Sequence, residues 1–168
     1  MNHFDNRLET FYFNRSGTIP NHPAFPVLLY RRALINQPGR MEEMFNRNNW
    51  LNSWENGIFP YHHYHSNCHE VLGVISGYAE VRIGGEMGAD LLIQTGDVIV
   101  LPAGTGHKNL SSSSDFSVAG AYPDGMRSDQ YSESDSLQPE IIERIQSVPI
   151  PDEDPVTGGQ GPLHQYWR

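Results

Sequence analysis

The sequence predicts an all-β fold, an antiparallel β-barrel or sandwich flanked by one or two short helices. Three observations carry this. Between residues 54 and 122, short β-branched and aromatic runs alternate with Gly-rich turns, at a spacing of roughly 8–12 residues that suits antiparallel strands. There is no alternation of strands with long helical patterns, and no internal repeat of the kind that marks solenoids and propellers. No stretch approaches the ~20 apolar residues that would span a bilayer.

The elements follow in order. Residues 11–30 carry Pro20, Pro23 and Pro26, a spacing that helix interiors do not tolerate. They read as an extended arm lying along the body, with Val27–Tyr30 as its apolar strand. Residues 39–50 read as a helix in which Met41, Met44, Phe45 and Asn48 share a face. Strand runs follow at 70–76, 78–83, 91–94, 98–101 and 116–122, the fourth stopped by Pro102. Trp50 and Trp54 are expected in the hydrophobic cover of the barrel. Residues 123–137, rich in Ser, Asp and Glu, read as a flexible segment. Pro139 opens a short helix with Ile141, Ile142 and Ile145 on its apolar face. The Pro- and Gly-rich tail from 149 to 168 is expected to be irregular, anchored by Trp167. The resulting organisation is one domain in three parts. They are an arm and helix at 1–53, a barrel core at 54–122, and a loop, helix and tail at 123–168.

Composition narrows the function. A chain of 168 residues buries roughly 70% of its unfolded surface, enough for a real core. A net charge of −9 repels phosphate backbones and argues against nucleic acid as a partner. Cys68 is the only cysteine, so no internal disulfide and no Cys-rich zinc module can form. It is expected to be a buried, inert thiol. Met1–Asp5 lacks a basic region followed by an apolar run, so the chain is expected to be cytoplasmic, with no membrane association.

Any metal site must therefore use histidine and carboxylate. Four of the eight histidines, His62, His63, His65 and His69, fall within eight residues. On a strand, side chains at i and i+2 project to one face. His63 and His65 can then converge on one ion. A turn at Ser66–Cys68 returns Glu70 beside them, sharing a face with Leu72 and Val74. His107 follows the turn Pro102–Gly106 and returns across the barrel. By the same alternation His62 and His69 point away, as surface residues or as supports that orient a ligand. A bulge in the turn would let His69 replace Glu70. Tyr61 and Tyr64 are candidates for hydrogen bonds to a substrate, with packing as the commoner role of such aromatics. Lys108 is expected to be solvated.

These residues carry a specific resemblance. The run from Gly57 through His63, His65 and Glu70 to Gly77 is similar to the first motif of the cupin superfamily. The run from Gly96 through Pro102 and Gly104 to His107 is similar to the second. The family's asparagine four residues after that histidine is replaced by Ser111. The whole chain resembles the small bacterial YjlB-like cupins, through Pro60–His65, His69–Gly73, Pro102–His107, Gly120–Pro123 and the tail segments Asp154–Val156 and Gly161–Leu163. The resemblance implies an RmlC-like jelly roll, or double-stranded β-helix. It also implies one divalent transition-metal ion held by His63, His65, Glu70 and His107. Imidazole and carboxylate suit Fe, Mn, Ni, Zn or Cu, and the sequence does not choose among them.

Two functions are expected. One is a metal-dependent enzyme of oxygenase, isomerase or decarboxylase type acting on a small polar molecule in the barrel, with no catalytic acid or base identified beyond the ligands. The other is a metallo-cupin that binds or senses a small sugar-like or acidic ligand without turnover. Pairing through an edge strand or a swapped N-terminal arm predicts a homodimer.

Overall fold

The computed structural model describes residues 7–168; residues 1–6, with the Met1–Asp5 stretch read for a leader, lie outside the described residues. Among the described residues eleven strands run β1 Leu8–Phe11, β2 Val27–Tyr30, β3 Trp50–Asn56, β4 His63–Tyr64, β5 Glu70–Ser76, β6 Tyr78–Ile83, β7 Ala89–Gln94, β8 Val98–Leu101, β9 His107–Ser112, β10 Ser117–Pro123 and β11 Tyr131–Ser132. Three short helices accompany them: α1 Met41–Arg47, α2 Pro139–Ser147 and α3 Pro162–Tyr166. The strands form a six-stranded sheet in the order β1-β2-β8-β5-β10-β3 and a five-stranded sheet in the order β11-β4-β9-β6-β7. Every pairing is antiparallel.

The six-stranded sheet is covered on both faces, which explains why its central strands read as continuous apolar runs. Leu28, Tyr30, Val71, Val98, Val100, Ala119 and Ala121 face an outer core built with Met41, Met44 and Phe45 of α1, Leu163 and Trp167. The alternate residues Val27, Leu29, Leu72, Val74, Ile99, Leu101 and Val118 face inward and meet Ala79, Val81, Ile83, Leu91 and Ile93 of the other sheet. Glu70 shares the parity of Leu72 and Val74 and so enters the barrel from its end.

Several expectations are corrected. The helix at 39–50 is only Met41–Arg47, preceded by a 3₁₀ turn at Pro38–Arg40. Asn48 closes it, and Asn49 takes φ 63°, a conformation that asparagine tolerates and that ends a helix. Trp50 then opens a strand. Strand β1, which the sequence reading did not assign, pairs with β2. The segment 123–137 is not loose: β11 pairs with β4, the Asp129 carboxylate accepts from Ser66 N and Oγ, and Asn67 Oδ1 accepts from Asp129 N. The tail holds a helix where none was expected. Pro162 fits its first turn, buried Asp154 accepts from Leu163 N at 3.1 Å, and Trp167 Nε1 donates to Pro26 O at 2.9 Å. No helix among the described residues is long and apolar enough to cross a membrane.

Candidate metal centre

The cavity end of the barrel is built from three local devices. Strand β4 lies beside β9 with His63 directly opposite His107, and the two imidazole centroids are 4.0 Å apart. One residue past Tyr64, His65 returns to the same face. Glu70 then opens β5 opposite Leu101. The turn before His107 depends on Gly104, whose φ is +87° and whose N–H donates to His65 O at 2.8 Å. A side chain would strain that backbone, and the turn ties the two histidine-bearing segments together.

The ring nitrogens are sorted by the backbone. His63 Nδ1 donates to Tyr61 O at 3.3 Å, His65 Nδ1 to Asp129 O at 2.6 Å and His107 Nδ1 to Thr105 O at 2.9 Å. A carbonyl only accepts, so each Nδ1 carries the hydrogen and each Nε2 presents a lone pair. Ligand atoms of His63, His65 and His107 lie within 4.8 Å of one another. The Nε2 atoms of His65 and His107 are buried without a hydrogen-bond partner. The Glu70 carboxylate sits 3.3 Å from both, Oε2 toward His65 and Oε1 toward His107. All four groups are thus acceptors aimed at one region, and a buried carboxylate needs a positive partner.

The electrostatics of the four groups follow from burial and from this proximity. Burial by itself would raise the Glu70 carboxyl, but His65 and His107 hold it well below the usual carboxylate range. Burial would lower His65, and Glu70 outweighs it and raises the imidazole. His63, farther from the carboxylate, is pushed down to about 3 by burial and by His107, so it stays neutral and ligand-ready. A divalent cation would satisfy the unpartnered Nε2 atoms of His65 and His107 and the buried Glu70 carboxylate together, so the residues fit the ion.

Only some of the neighbouring candidates join the site. Tyr61 borders it through its carbonyl and an edge contact 6.0 Å from the His63 ring, and its own ring stacks on Phe59 at 5.1 Å. Tyr64 faces away into the cluster of Ile19, Ile141 and Ile145. His69 also faces away: β5 begins in register with no bulge at this point, so it takes the parity of Val71 and cannot replace Glu70. Buried His62 turns toward Glu86 at 3.2 Å, in a second group with Glu133. Glu86 is already paired with Lys108 at 2.6 Å and Arg82 at 2.8 Å. Lys108 is therefore ion-paired rather than freely solvated. Cys68 is buried, which pushes its thiol up to about 12 and leaves it inert.

Two residues were missed. A cavity of about 420 Å³ opens onto the histidines and Glu70, and Trp54 and Tyr122 form part of its wall. Trp54 Nε1 donates to Tyr122 Oη at 2.9 Å. The Tyr122 hydroxyl is raised above its ordinary range by burial and by the charge of Glu70. The available signal was Gly120 inside a strand run. A Cβ there would sit 2.3 Å from the Trp54 indole, so the glycine marks where that ring crosses the strand.

Comparison with known proteins gives the family. Residues 53–118 match the family model described as Cupin domain. The chain belongs to the cupin family, as a single-domain member. Among its relatives is the uncharacterized protein YjlB of Bacillus subtilis (strain 168), 45% identical over 159 residues, which are 95% of this chain and 96% of that one. Two solved structures are more distant. The acireductone dioxygenase from Bacillus anthracis with a cadmium ion in its active centre is 18% identical, over 55% of this chain and 61% of that one, at a TM-score of 0.39. The oxalate decarboxylase of Lactobacillus farciminis, a formate complex, is 19% identical, over 76% of this chain and 34% of that one, at a TM-score of 0.39.

Proposed function

We propose that this chain is a metal-dependent enzyme of oxygenase, isomerase or decarboxylase type, acting on a small molecule in the barrel cavity. One divalent ion of Fe, Mn, Ni, Zn or Cu is held by His63, His65, His107 and Glu70. The observation that carries the reading is the sorting of nitrogens: three Nδ1 hydrogens go to backbone carbonyls, leaving three Nε2 lone pairs within 4.8 Å of one another beside a buried carboxylate. Such an ion supplies Lewis-acid activation of a bound oxygen. The residues orient the ion, and the largely apolar wall receives its ligand.

A second reading, a metallo-cupin that binds without turnover, is favoured by the cavity lining. Besides the four ligands its titratable groups are Glu55, which is exposed, and Tyr122, whose hydroxyl holds its proton tightly. Elemental analysis of the chain purified from its own host tests the shared claim. About one transition-metal equivalent per chain is expected, and a chain that takes up none of the five ions contradicts it. Given metal, oxygen consumption and product analysis across keto-acids, diketones and catechols separate turnover from binding.

A further inference from the structure

The cavity wall carries information about charge that the metal ligands do not. Among the described residues no lysine or arginine lines it. Three cations of the neighbouring elements, Lys108, Arg82 and Arg144, are committed elsewhere. Lys108 follows His107 on β9 and points to the opposite face, where it holds Glu86. Arg82 is paired with Asp90 and Glu86, and Arg144 donates to Ser66 and Tyr131. The charged groups that do line the cavity are Glu55 and Glu70. Glu55 is exposed and screened by water, so with a divalent ion in place only buried Glu70 offsets it. A monoanionic guest then brings the site to neutrality, and a dianion leaves one excess negative charge. A second carboxylate on the guest would lie in a largely apolar wall with no counter-cation, which is costly.

The same wall is flat and aromatic. Trp54 lies across Gly120, fixed by its hydrogen bond to Tyr122. Phe59 is held by stacking on Tyr61 with planes 12° apart. Ser128 and Gln130 offer neutral hydrogen-bonding groups. A volume of about 420 Å³ is at the small end of ligand pockets, room for a ring with short substituents.

We infer that the guest is a small planar conjugated molecule carrying at most one negative charge, with its oxygen donors at the His63–Glu70 end and its ring against Trp54 and Phe59. Dicarboxylates are excluded by the absence of a wall cation. This rests on the metal-dependent reading above.

The test uses the full chain loaded with the divalent ion it retains most tightly, titrated by calorimetry with tropolone, a planar monoanionic chelator, and with oxalate, a dianionic one. Each affinity is divided by that for the free ion in the same buffer. The expected result is a normalised preference for tropolone of at least tenfold, which Trp54→Ala lowers at least tenfold while changing oxalate binding less than twofold. Gln130→Arg, which adds a wall cation and leaves Trp54 in place, is expected to raise oxalate binding at least tenfold without raising that of tropolone. Equal or stronger normalised binding of oxalate by the unmodified chain overturns the inference and leaves the metal reading standing. A chain that retains no ion overturns both.

Discussion

Two groups of buried histidines flank the start of β5, and they differ in what their nitrogens lack. His63, His65 and His107 keep Nδ1 hydrogens on backbone carbonyls and leave lone pairs at Nε2. His22 and His69 are the reverse. His69 Nδ1 accepts from Ala103 N at 2.9 Å, so its Nε2 carries the hydrogen and donates to Pro149 O at 3.1 Å. His22 Nδ1 accepts from Ala24 N and Phe25 N, which leaves a buried Nε2–H with no acceptor. Its ring stacks on Phe25 at 4.2 Å, and Phe25 stacks on Trp167. A buried histidine is therefore not a ligand by virtue of burial. An orphaned acceptor can take a cation, whereas an orphaned donor cannot.

Substitutions should break the two groups in different currencies. The largest effect is expected at the cavity: His107→Ala removes a ligand and lowers metal affinity more than the ~10–100-fold typical of losing a residue that only supports one, with a small change in stability. Competition with a chelator of known affinity reads this. His69→Ala should leave metal stoichiometry near that of the unsubstituted chain. It strips the acceptor from Ala103 N–H and opens a cavity beside Trp167, at a cost of about 3 kcal/mol in urea unfolding. If His69→Ala also releases the ion, the distinction between the two groups fails.

A smaller effect separates support from ligation. Asp129 presents its carbonyl to His65 Nδ1, and its carboxylate fixes the loop through Ser66. Asp129→Ala keeps the carbonyl and frees the loop, so metal affinity should fall about tenfold while one ion still binds at saturation. Retention of full affinity would show that the Ser66 contacts do not position His65.

The smallest effect is in pH. Burial lowers the imidazole of His22 to about 4 and that of His69 to about 3, against an ordinary 6.5. Between those values the unfolded chain binds protons that the folded chain refuses. The contribution of these two histidines is therefore flat above pH 6.5, and it lowers stability as pH drops from about 6.5 toward 4. His22→Asn retains an acceptor for the Ala24 and Phe25 amides but does not titrate. Its urea midpoint should fall less between pH 7 and pH 5 than that of the unsubstituted chain, and an identical fall would remove His22 from the explanation.

The parts of this arrangement that were legible in the sequence are those set by local periodicity. The spacing of His63 and His65 places both on one face, and the apolar run at 98–101, stopped by Pro102, implied a strand. What escaped depends on pairing between distant segments. Trp54 was read as cover because nothing near it in sequence reveals that it crosses β10 at Gly120, 66 positions away. Polar composition at 123–137 suggested looseness, yet that same polarity supplies the Asp129 contacts that stitch the loop to Ser66. Helix α3 is short enough that no periodic pattern could announce it. Its start is fixed by Asp154, eight residues before Pro162.

The most direct test watches the individual nitrogens. In a ¹⁵N-labelled chain, long-range ¹H–¹⁵N spectra of the imidazoles recorded during addition of one equivalent of Zn(II) distinguish each ring and tautomer. The expected result is a coordination shift at Nε2 of His63, His65 and His107 alone, complete at one equivalent, with His22 and His69 unchanged. Absence of any shift, or a shift at His22 or His69, would contradict the assignment of the orphaned lone pairs as a metal centre.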